Sequence, residues 1–207
     1  MNDTYCMATS STTPRPLYIT GKPDADKLLH TNGLALMIGM LLDQQVPMEW
    51  AFTGAYTIKQ RLGHCDAKKI AAMDADEFVT ICCTKPAIHR FPASMAKRIY
   101  DMSTIIAAEY KGKAENIWKD VVDAEELRKR LRKLPGYGEE KTEIFIALLG
   151  KRFGIRPKGW KEKAGEFSDG QPRSVADIYS ATSLLKVRAY KQMQRAQDLD
   201  KKDRPKR

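Results

Sequence analysis

The chain has 207 residues, 43% of them hydrophobic, which is enough for one or two small domains with a real core. No apolar run reaches the length of a membrane span, and the four cysteines (Cys6, Cys65, Cys82, Cys83) fit no zinc or iron–sulfur spacing, which excludes both classes. The formal net charge of +10 favours a polyanionic partner.

Residues 1–16 read as a flexible leader, because Ala8 to Pro16 is rich in Ser, Thr and Pro and no apolar signal core precedes it. Leu17-Tyr18-Ile19-Thr20-Gly21 reads as one strand or an extended arm. Asp24 or Asp26 then caps a helix through His30. Gly33 to Leu42 is almost wholly apolar and has no polar face, which predicts a buried central helix. Asp43-Gln44-Gln45-Val46-Pro47 ends it, and Pro47 opens a helix from Met48 to Leu62. Lys68 to Met73 and Ala75 to Cys82 are two short helices split around Asp74. Phe91-Pro92 makes a break before a helix from Ala93 to Tyr110, whose start is basic at Lys97 and Arg98.

Val121 to Lys133 and Lys141 to Phe153 have helical periodicity and flank Leu134-Pro135-Gly136-Tyr137-Gly138. Arg156 to Arg173, rich in Gly, Pro and charge, reads as a long inserted loop. Val175 to Gln197 is a last helical region, and 198–207 a basic, disordered tail. The expectation is an all-α protein with one helical domain over 17–197.

A Pro followed by Gly-x-Gly cannot continue a helix. It makes a tight hairpin whose glycines can take positive φ. The N–H groups opening the second helix, with its dipole, then suit one phosphate. A helix, a Leu-Pro-Gly-x-Gly turn and a second helix resemble the helix-hairpin-helix of the DNA glycosylase superfamily. A second match is Leu41-Leu42-Asp43-Gln44-Gln45-Val46-Pro47, a buried helix ending in glutamines. A third, looser one is Ile88-His89-Arg90-Phe91-Pro92 followed by Met95-Ala96-Lys97-Arg98-Ile99.

The resemblance covers roughly Leu34 to Ile178. It implies a two-lobed helical fold with a central groove, a monomer and no cofactor; the lack of a membrane span and of an apolar signal core sets the expectation of a cytoplasmic, nucleoid-associated location. The implied partner is double-stranded DNA bearing a damaged or modified base. Such a base must leave the stack before its glycosidic bond can be reached. Gln44 or Gln45 would fill the gap, since an amide both donates and accepts. Arg90, Lys97 and Arg98 would meet phosphate. Gly136, Tyr137, Gly138 and Lys141 would grip a phosphate at the hairpin. His89 reads as a structural residue.

Family members stabilise the cationic sugar with an Asp after the hairpin. Asp177, in Ser174-Val175-Ala176-Asp177-Ile178, resembles that segment, with Asp169 as the other option; the insertion puts Asp177 unusually far from the hairpin. The position of the family's nucleophilic lysine holds Glu140, which implies a monofunctional enzyme. Several members carry an iron–sulfur cluster on four C-terminal cysteines; no cysteine follows Cys83 here. Trp160, between basic residues, would stack on a base or anchor the inserted loop. Two rival functions are a non-catalytic duplex-binding protein on this fold and a DNA base-modifying enzyme derived from it.

Overall fold

The computed structural model describes residues 17–202, so the expected leader and residues 203–207 of the tail lie outside the described residues. The elements are α1 (Pro23–Thr31), α2 (Gly33–Leu42), α3 (Met48–Leu62), α4 (Ala67–Ala71), α5 (Ala75–Cys83), α6 (Pro92–Glu109), α7 (Ala124–Arg132), α8 (Glu139–Arg152), α9 (Trp160–Lys163) and α10 (Ala181–Lys202). Three 3-10 turns join them, at Ala114–Ile117, Gly165–Ser168 and Val175–Asp177. Among the described residues there is no strand, only an isolated bridge between Asp123 and Lys158. The fold is all-α.

Helix α2 is the axis. All its residues are buried, as an apolar helix without a polar face requires. The Asn32 side chain caps it by accepting from Ala35 N at 2.8 Å. Two glycines let α2 and α3 cross closely. A Cβ on Gly39 would lie 2.4 Å from the Phe52 ring, and one on Gly54 would lie 2.4 Å from Leu42 Cδ1. Helices α4 and α5 pack on α6, forming one lobe with α3. Helices α7, α8 and α9 with the last two 3-10 turns form the other. Helix α2 touches α6 in the first and α8 in the second.

Of the two readings of Leu17–Gly21, the structure takes the arm, without strand pairing. Three sequence expectations change. Neither Asp24 nor Asp26 caps α1, whose N-cap is Lys22. Asp26 is buried instead and accepts from Ile19 N (3.0 Å), Thr20 N (2.8 Å) and Thr20 Oγ1 (2.9 Å), tying the arm down. The 156–173 insertion is not a bare loop, because it contains α9 and a 3-10 turn. The last helical region is broken at Ile178, and its second part runs on to Lys202 instead of ending at Gln197.

Candidate nucleic-acid interface

The turn after α2 separates the two glutamines. Gln44 is half-buried, and its amide donates to Met95 Sδ at 2.8 Å. Gln45 is exposed and holds a left-handed φ of 56°, a strained state for a residue with a Cβ. His89, 1% exposed, braces the turn. Its Nδ1 accepts from Phe91 N at 3.0 Å, so the other ring nitrogen carries the hydrogen and donates to Gln44 O at 2.9 Å. The structural reading of His89 holds, with a bracing role that the sequence did not reveal.

In the hairpin, only Gly136 has positive φ, at 81°. Gly138 is the N-cap of α8 at an ordinary φ of −71°. Tyr137 belongs to the core. Its side chain is 3% exposed, its ring stands edge-on to Phe145, and its hydroxyl donates to Met37 O at 3.0 Å. Its side chain is therefore not available to the phosphate expected at the hairpin, and its backbone N–H is taken by Leu134 O at 3.2 Å; an apolar ring beside α2 is worth more inside. The first turn of α8 carries its own acids, Glu139 and Glu140. Glu139 pairs with Arg128 (Nε to Oε1, 3.0 Å) and Arg132 (3.7 Å). A phosphate at this helix start would meet those arginines beside the N–H groups.

A groove of about 1020 Å³ opens between the α2–α3 turn, the start of α8, and α10. Gln44, Gln45, Glu140, Lys141, Ser174 and Arg90 all line it, above an apolar floor that includes Met40, Ile144 and Phe167. Lys141 therefore turns inward instead of outward to the hairpin's phosphate. Its Nζ donates to Leu41 O at 2.6 Å, one of the carbonyls left open at the end of α2. Burial pushes its amine down to about 8, against the pull of nearby Asp43. Glu140, one residue earlier, is exposed in the groove and makes no hydrogen bond or ion pair among the described residues.

Asp177 stands behind the groove wall. It completes a capping box, accepting from Arg173 N (3.1 Å) and Ser174 N (3.0 Å). Lys151 Nζ lies 2.6 Å from its other oxygen. Asp177 is thus a neutralised cap and is not among the residues that line the groove. The alternative, Asp169, binds Arg173 Nε at 2.9 Å, and its backbone carbonyl takes Lys151 Nζ at 2.6 Å. Burial alone would raise the Asp169 carboxyl; the Gln171 N–H and the Arg173 guanidinium outweigh it and hold the carboxyl below its usual range.

Trp160 packs against the body of the fold. It is half-buried, and a Cβ on Gly150 would lie 2.5 Å from its ring. Arg156 lies over the ring, 5.8 Å from its centre. Of the basic residues, Arg90 is exposed in the groove and stacks over Phe91. Arg98 packs beside Gly136 at the hairpin. Lys97 is exposed on α6 but is not among the groove residues. Sequence reasoning missed two residues that the insertion supplies to the groove, Phe167 and Arg173. No motif marks them, because the insertion has no helical period to orient its side chains.

A protein-family model described as HhH-GPD superfamily base excision DNA repair protein matches residues 38–203. No curated protein and no solved structure matches the chain significantly.

Proposed function

The chain belongs to the HhH-GPD superfamily of base excision DNA repair proteins, and from that premise we propose that it is a monofunctional DNA glycosylase. The observation that carries the reading is convergence. Three distant segments, Gln44–Gln45, Glu140–Lys141 and Arg173–Ser174, line one groove. Its partner is duplex DNA bearing a damaged or modified base, met by a monomer in the cytoplasm at the nucleoid. Gln45 is the wedge: it is exposed and held in a strained turn, whereas Gln44 is tethered to Met95. The extruded base enters the groove. As its glycosidic bond breaks, the electron pair leaves with the base and the sugar becomes cationic. Water adds at C1′, and the proton it loses passes to the departed base anion, which leaves as the free neutral base.

A groove carboxylate lowers that barrier by stabilising the sugar's positive charge. We assign this role to Glu140, which lines the groove without a hydrogen-bond or ion-pair partner among the described residues. Asp177 is a positioning residue that holds Arg173 and Ser174. The test is a panel of duplexes, each with one lesion, scored for abasic sites broken by alkali. Glu140→Gln should abolish base release and keep or tighten DNA binding, since a negative charge near phosphate is removed. If a folded Asp177→Asn variant loses release and Glu140→Gln keeps it, the two roles are reversed. The neutralised Asp177 favours one second reading, a duplex-binding protein without catalysis, and absence of abasic sites on every lesion would select it.

A further inference from the structure

We propose that Arg173 is a specificity-determining residue that selects an extruded base carrying an exocyclic carbonyl; this rests on the glycosylase reading. Arg173 lines the groove, and its guanidinium is locked on three sides. Nε donates to Asp169 at 2.9 Å, Nη1 pairs with Glu166 at 2.9 Å, and Nη1 also donates to the Tyr190 hydroxyl. The Tyr190 ring lies 5.6 Å from the guanidinium carbon. Its own backbone N–H is held by Asp177. Nη2 alone keeps both its N–H groups without a partner among the described residues.

The charge around Arg173 decides between two uses. A phosphate-binding arginine works through net positive charge. Here two carboxylates offset that charge, and a phosphate at Nη2 would be repelled by Asp169 and Glu166. What remains is directional: a rigid planar donor at a groove wall. Such a donor suits a neutral acceptor, and on a nucleobase edge a carbonyl oxygen, with two lone pairs and a broad acceptance angle, meets a donor fixed in place more readily than a ring nitrogen with its single in-plane lone pair. Phe167, on the same inserted segment, adds an apolar face for the ring of the base. A base with a cationic, alkylated edge or an amino group in place of the carbonyl leaves the donor unmatched and is rejected.

The experiment pairs a change in the protein with a change in the base. Base release is measured on duplexes containing uracil, hypoxanthine, 8-oxoguanine or 1,N6-ethenoadenine. The carbonyl facing the groove is then deleted from the best substrate, as purine does for hypoxanthine. Wild-type protein should favour the carbonyl bases and lose about tenfold or more in release when the oxygen is deleted. Arg173→Gln should lose that discrimination. The deletion in the base needs no altered protein, so a poorly folding variant does not spare the proposal. If wild-type release ignores the oxygen, or Arg173→Gln leaves the discrimination intact, Arg173 does not read the base. If the variant instead binds undamaged duplex more weakly with a shallower salt dependence, it is a phosphate contact and the proposal fails. No release from any duplex removes the glycosylase reading and this inference together; selective release unaffected by Arg173 removes the inference alone.

Discussion

Lys151 and Asp177 form an ion pair 2.6 Å long with both side chains about nine-tenths buried, at 12% and 11% exposure. Lys151 also holds Asp169 O, so one ammonium ties the end of the insertion to the turn behind the groove. Removing one partner of a nearly buried pair leaves a charge uncompensated, at a cost of about 3 kcal/mol. Lys151→Met and Asp177→Asn should each lower stability by that order in urea unfolding. The double variant should lose clearly less than the sum, because neither charge is then stranded. Additive losses would mean that the pair is not coupled.

The two glutamines should respond differently. Gln45→Ala should weaken binding to a lesion duplex and slow extrusion, read by a fluorescent base analogue beside the lesion, with little change in stability. Gln45→Gly should be stabilising by about 1 kcal/mol, since glycine relieves the left-handed φ of 56°. Gln44→Ala should act mainly on stability, by loosening the contact with Met95. An extrusion signal that follows Gln44 alone would reassign the wedge.

The hairpin glycines also divide. Gly136→Ala places a Cβ at a φ of 81° and 3.3 Å from Leu41 Cγ, which should cost about 1–2 kcal/mol. Gly138→Ala has an ordinary φ, with Arg132 Nη1 at 3.9 Å as its near neighbour, and should fold normally. Gly138→Phe should fold too, yet weaken binding to all duplexes alike by crowding the helix start. Sequence-dependent weakening would take the hairpin out of the backbone contact.

Much of this was legible in the chain. The uninterrupted apolar run at Gly33–Leu42 has only one stable home, the centre of a helical fold, and the Pro-Gly-x-Gly break fixed the hairpin between α7 and α8. The site was legible only where such punctuation orients it, as at Gln44–Gln45. From the sequence, Lys141 reads as a phosphate contact at the hairpin, one residue past Glu140. The open carbonyl of Leu41 draws its amine inward, a long-range partner that counting along α8 cannot reveal. Tyr137 is a related case: the Gly-x-Gly pattern marks its turn, but nothing local shows that the ring folds back onto Met37. Asp177 was found by its local motif, while the lysine that neutralises it lies 26 residues away.

Trp160 gives a test of the insertion. Its ring fills the space over Gly150, so Trp160→Ala should cost about 3 kcal/mol. Gly150→Ala should cost a comparable amount, because its Cβ would press on the same ring. Affinity for undamaged duplex should change little in either variant that still folds. A selective loss of DNA affinity with stability intact would restore the stacking role.

Lys141 makes stability depend on pH in a known direction. Burial depresses its amine to about 8, against about 10.4 in an unfolded chain. Between these values the unfolded state binds more protons than the folded one, so stability rises with pH across the window. Below about pH 8 the amine is protonated in the folded and the unfolded state alike, and the stability gained at higher pH is absent. Urea midpoints measured at about pH 7 and about pH 9.5 should therefore rise for the wild type relative to Lys141→Met, in which no amine titrates. Parallel midpoints across that range would mean that the Lys141 amine is solvated, and would return it to the outer face of the hairpin.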